Sequence, residues 1–268
     1  MSSPTRPPLE PIPTWTPEAD DDAGSGIAPS HDQVVVLYVI IAYCVVIFGV
    51  WNLPLFKTLI NPLKLFTIGW HELSHIIAGL LTGGRVLKIT IDPTIGGATI
   101  VEGGRPPIIL AAGYIGSTIL GALFVLAGFH SLVAKVMSLV LAVGLVMPLG
   151  LVRDKMTIVL TVVFEALLIG CWFIGHGQGL RWYCLFIGIM NILFVVWDFA
   201  DDRYFNKLND SDATQFSLLY PSIGPHIWAL FWMTFQVGAL VGFVILGLVA
   251  FKRTPRQMNE EASRFLPT

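Results

Sequence analysis

From residue 34 onward the chain is built of apolar runs about 20 residues long, separated by short polar breaks. A helix of that length, rising about 1.5 Å per residue, crosses the roughly 30 Å hydrocarbon core of a bilayer. In hydrocarbon every backbone N–H and C=O must be bonded within the segment, so helices are what such runs form. The runs cover residues 34–56, 65–81, 108–129, 132–152, 156–174, 182–197 and 226–251. The expected fold class is an all-α polytopic membrane protein of about seven transmembrane helices, a multi-pass chain whose first partner is the lipid bilayer. Charged residues make up 13% of the 268, about half the share of a soluble domain. A net charge of −2 offers no basic footprint, so no nucleic acid is expected as a partner. Cys44, Cys171 and Cys184 all lie in apolar runs and read as small buried hydrophobes, not as a disulfide framework.

Three regions follow from composition. Residues 1–32 are rich in Pro, Ser and acidic side chains and read as a disordered N-terminal tail. Residues 33–252 form the membrane-embedded domain, and residues 253–268 a short C-terminal tail. One stretch inside the domain has a different period. Val86-Leu87 leads into Lys88-Ile89-Thr90-Ile91, which alternates polar and apolar, and Ala98-Thr99-Ile100-Val101 is a second β-prone run. Asp92-Pro93 and Gly96-Gly97 between them are turn signals. A small β-hairpin after the second span is therefore expected. Its strand edges cannot face hydrocarbon, which places it at the interface or in a water-filled cavity.

The second run carries ionisable residues that hydrocarbon makes costly: His71, Glu72 and His75 in His-Glu-Leu-Ser-His. Four residues apart on a helix, His71 and His75 share a face one turn apart, the spacing that lets two imidazoles bind one Zn²⁺. Glu72 stands about 100° round the helix from His71. It can reach an attacking water as general base without being a ligand. A catalytic zinc takes a third protein ligand as a rule. Asp198, at the end of the sixth run, is the candidate, with Asp201 and Asp202 as alternative metal ligands on the same helical face. Asn191, two turns earlier, is a candidate for positioning substrate. The plainer reading of the acids is a solvated helix end.

At these residues the chain resembles the site-2 protease family of intramembrane zinc metalloproteases, in its peptidase M50B-like branch. The likeness lies in Gly69-Trp70-His71-Glu72-Leu73-Ser74-His75-Ile76-Ile77-Ala78-Gly79, Leu81-Thr82-Gly83-Gly84-Arg85 and Ala112-Gly113-Tyr114-Ile115-Gly116-Ser117. It continues from Asn191 to Asp198 and in Ser211-Asp212-Ala213. The resemblance implies a three-helix catalytic core with Zn²⁺ as cofactor, held by His71, His75 and a distal aspartate, Asp198. It also implies Glu72 as the catalytic base and a membrane-protein segment as substrate. Better-known members carry an Asn-Pro and a Leu-Asp-Gly around the third ligand; here Trp197-Asp198-Phe199 stands instead.

Two supporting features complete the reading. Gly113, Ser117 and Gly121 recur every four residues, and Gly79 and Gly83 offer a matching small surface, so the second and third spans are expected to pack closely. An exposed hairpin edge could hold an unwound substrate segment by strand addition. The function expected is zinc-dependent hydrolysis of peptide bonds in membrane-embedded substrates. The alternative is a catalytically inactive member that acts as a membrane scaffold or chaperone.

Overall fold

The computed structural model describes residues 28–50, 53–92, 96–151, 154–174, 177–204 and 209–265. Most of the expected tail (1–27) and Pro93 of the expected turn lie outside them. Among the described residues, eleven α-helices and one hairpin follow in the order α1 (His31–Val50), α2 (Pro54–Leu59), α3 (Asn61–Leu81), β1 (Arg85–Asp92), β2 (Gly96–Glu102), α4 (Pro106–Ala127), α5 (Ser131–Val146), α6 (Lys155–Phe173), α7 (Gln178–Ile192), α8 (Phe194–Tyr204), α9 (Asp212–Leu219), α10 (Pro225–Ala250) and α11 (Pro255–Phe265). The 3₁₀ turn Met147–Gly150 extends α5.

Among the described residues five helices are long and apolar enough to cross a bilayer: α1, α4, α5 with its extension, α6 and α10. The α7–α8 pair, bent by 57° at its break, makes a sixth if counted as one span. The chain is a multi-pass integral membrane protein. The exact count of about seven is not confirmed, because the histidine motif lowers the hydropathy of α3. More than half of this helix is buried: 12 of its 21 residues, including Lys64, His71, Glu72 and His75. It is walled by α4, α5 and the hairpin, and protein rather than lipid solvates its polar side chains.

The ends of α3 are written locally. Pro62 stands in the first turn, where its missing N–H costs nothing. At the other end Gly84 N–H donates to Gly79 O (2.8 Å) and Gly83 N–H to Leu80 O (3.1 Å). With Gly83 at φ 84° this is a Schellman cap. The chain leaves it directly into β1. The hairpin is antiparallel, pairing Arg85 with Glu102 and Ile91 with Gly97. A register shift between Val86 and Lys88 leaves Leu87 as the extra residue of a bulge.

The small-residue stripe distributes differently from the expected pairing. Gly113 does face α3, but Gly121 packs against Ile192 of α7 and Gly79 against Val101 of β2. α4 thus serves as a central helix, sandwiched between α3 and α7.

The break at Leu193 would leave backbone donors unpaired in the core. Gln236 of α10, fully buried, fills the gap. Its Oε1 accepts from Val195 N–H (3.0 Å) and its Nε2 donates to Thr118 Oγ1 (3.2 Å), tying α10 to α8 and α4. Residues of the expected C-terminal tail form α11, whose Met258 and Ala262 are buried.

Candidate metal centre

The motif helix presents His71 and His75 toward α4. A Cβ at Gly113 would lie 2.4 Å from His75 Cε1 and 2.5 Å from His71 Cε1, so only glycine lets both imidazoles lie against that helix. His75 Nδ1 stands 2.7 Å from the carbonyl of Ile109. A carbonyl only accepts, so Nδ1 carries the hydrogen of the neutral ring and Nε2 turns its lone pair inward. The His71 ring is stacked on Phe194 (centroids 4.1 Å apart, 17° between planes), with its Nδ1 3.4 Å from Ser117 Oγ.

A third group meets these two, and it is Asp212, the first residue of α9. Its Oδ2 lies 3.0 Å from His71 Nε2 and 3.2 Å from His75 Nε2, while the two nitrogens are 3.0 Å apart. Four-coordinate zinc with bonds of about 2.0–2.1 Å separates its ligand atoms by about 3.3 Å. Oδ2 is buried and within ion-pairing range of both rings, yet meets neither with hydrogen-bond geometry. That spacing suits a cation shared by the three atoms, and without one a proton shared between an imidazole and the carboxylate. Burial opposes ionisation of Asp212, but His75 and then His71 outweigh it and hold the carboxyl well below the usual carboxylate range.

Glu72 stands beside this triad; one ligand-capable atom from each of His71, Glu72 and His75 falls within a mutual 4.8 Å. The hairpin shapes its carboxylate. Thr99 Oγ1 donates to Glu72 Oε2 (2.7 Å), and a Cβ at Gly97 would fall 2.0 Å from Glu72 Oε1. Gly97 is held in turn by Asn209, whose Nδ2 donates to its carbonyl (3.2 Å). All four groups line a polar cavity of about 500 Å³ between α3, β2 and α8–α9. An apolar cavity of about 570 Å³ lies between α3, β1 and α5, and Glu72 lines both.

The acids singled out from the sequence are near but differently employed. Asp198, expected as third ligand, accepts from Tyr114 Oη (3.0 Å). Asp201 pairs with Lys64 Nζ (2.5 Å), whose ammonium also lies over the Trp197 ring. The Oδ2 of Asp202 accepts from Ser211 N–H (3.1 Å), Ser211 Oγ (2.8 Å) and Thr214 Oγ1 (2.7 Å). The 57° bend after α7 turns α8 away from the direction a straight helix would take, and α9 brings Asp212 to the imidazoles instead. Asn191 is not in the cavity. It is fully buried, donating to Ile187 O (2.9 Å) and Thr67 Oγ1 (3.3 Å), and so joins α7 to α3.

The signal for Asp212 in the sequence was its place after Ser211, a side chain that caps the helix it begins by accepting from Thr214 N–H (3.3 Å). No curated protein and no solved structure matches the chain. A family model described as Peptidase M50B-like matches residues 40–243, from within α1 to within α10. That match covers the motif helix, the hairpin, the bent pair and Asp212 together, and the chain belongs to the Peptidase M50B-like family.

Proposed function

We propose that this chain is a zinc-dependent intramembrane endopeptidase that hydrolyses peptide bonds of membrane-embedded substrates. The observation that carries the reading is the convergence of His71, His75 and Asp212 beside Glu72 in a cavity inside a membrane protein. Zinc held by these three residues would lower the pKa of water to about 7 and polarise a peptide carbonyl.

The chain's own groups do the rest. The Glu72 carboxylate takes a proton from the attacking water as its oxygen bonds to the scissile carbonyl carbon. It returns that proton to the amine nitrogen as the C–N bond breaks. Thr99 fixes which Glu72 oxygen is committed to the hairpin, leaving Oε1 for the proton. The apolar cavity supports a membrane segment as substrate, since it offers an oily surface that reaches the same glutamate. The free strand edges of the hairpin are suited to hold that segment once it is unwound.

The test is Glu72→Gln. It removes the base but not the ligands, so it should cut cleavage of a membrane-segment substrate by about 10²–10⁴-fold. Zinc content should stay at the wild-type level. Full activity in Glu72→Gln would refute the mechanism.

A further inference from the structure

Asp212 opens a helix of eight residues, and something must hold that helix in register with α3. The first N–H groups of any helix lack intrahelical partners. Here the N–H of Ala213, the residue after Asp212, donates to Tyr114 Oη (3.1 Å). Tyr114 is fully buried on α4, and its hydroxyl donates to Asp198 Oδ2 (3.0 Å). A phenol has one hydrogen to give, and a carboxylate offers lone pairs. With its hydrogen committed to Asp198, the hydroxyl turns a lone pair to Ala213. On the other side of the same turn, Asp202 gathers Ser211 and Thr214.

We propose that Tyr114, oriented by Asp198, is a positioning residue that fixes Asp212 in register with His71 and His75, with Asp202 clamping the far side of the turn. The aspartate that spacing singled out as a ligand thus acts one step behind the metal centre. α4 serves the site twice: Gly113 admits the imidazoles, and Tyr114, the next residue, seats the third donor. Partners that orient a ligand without touching the metal usually govern affinity by about 10–100-fold.

The inference rests on the metal-centre reading, so its test carries two readouts on the full-length, detergent-purified chain. The first is zinc affinity, by competition with a chromophoric chelator. Tyr114→Phe and Asp198→Ala should each weaken zinc binding about 10–100-fold. The double variant should be no weaker than the worse single one, because both act through one connection. Asp198→Asn keeps an accepting oxygen and should recover most of the loss. The second readout is amide exchange in metal-free protein: Tyr114→Phe should speed exchange across residues 211–215 and leave α3 and α4 at wild-type protection. Unchanged exchange at 211–215 would overturn the proposal. So would loss of zinc in Asp198→Ala with wild-type affinity in Tyr114→Phe, which would make Asp198 a ligand. If wild type bound no zinc, the metal reading would fall, and the exchange readout would still decide what Tyr114 does.

Discussion

Two buried charge clusters in this protein look alike in composition and differ in how they are satisfied. One lies where the N-terminus of α1, the α4–α5 corner, the start of α7 and α11 meet. There Arg181, fully buried, donates to both Asp32 oxygens (2.7 and 3.3 Å) and to Gly128 O (3.0 Å). Lys135, also fully buried, donates to Ala262 O (3.0 Å), and His130 faces Glu261 (3.0 Å). The donors there have acceptors, and the contacts tie both ends of the described chain to the bundle. The other cluster is His71, His75 and Asp212, whose inward-facing atoms stand 3.0–3.2 Å from one another. The first arrangement pairs fixed donors with acceptors; the second gathers three groups that could each bind either a proton or a cation. Charge in a membrane core is costly in either case, so its pattern of partners separates structure from chemistry.

The sharpest way to break this comparison is to remove one partner from each cluster. Asp32→Ala strands a buried guanidinium and should cost about 3 kcal/mol of unfolding free energy, read by SDS titration in mixed micelles. Replacing Asp32 and Arg181 together by apolar residues should recover most of that loss. Asp212→Ala should cost the metal-free protein less than Asp32→Ala does, because the imidazoles left behind can give up a proton and a guanidinium cannot. A large stability loss in metal-free Asp212→Ala would mean that the two clusters do the same structural work.

A smaller effect is expected where the hairpin meets the glutamate. Thr99→Val removes the hydroxyl that anchors Glu72 and should lower kcat about tenfold, with zinc content unchanged. Thr99→Ser should restore the rate. Equal rates in Thr99→Val and wild type would remove the hairpin from the chemistry.

What could be read from the sequence follows the range of the interaction. His71, Glu72 and His75 were legible because a helix fixes their relation within one turn. The hairpin was legible because alternation changes period there, although the Leu87 bulge depends on pairing that a single strand does not reveal. Asp212 was not derivable from spacing. Its place depends on a bend at Leu193 that Gln236 satisfies from α10, and on Tyr114 reaching across from α4. Asp198 stands out because it ends the sixth apolar run, and helical periodicity adds Asp201 and Asp202 on its face; neither reading contains the bend that brings α9 to the imidazoles. Asn191, singled out for its place two turns before Asp198, is bonded between α7 and α3. The exact count of about seven spans is not confirmed: five or six described helices pass on length and hydropathy, and α3, largely buried in protein, falls short on hydropathy.

The central claim is that Asp212 completes the metal site. The direct measurement is the zinc content of the purified full-length chain, comparing wild type with Asp212→Ala and Asp198→Asn. We expect about one zinc per chain in wild type and Asp198→Asn, and none in Asp212→Ala. Zinc retained in Asp212→Ala and lost in Asp198→Asn would contradict the account and return the third ligand to Asp198.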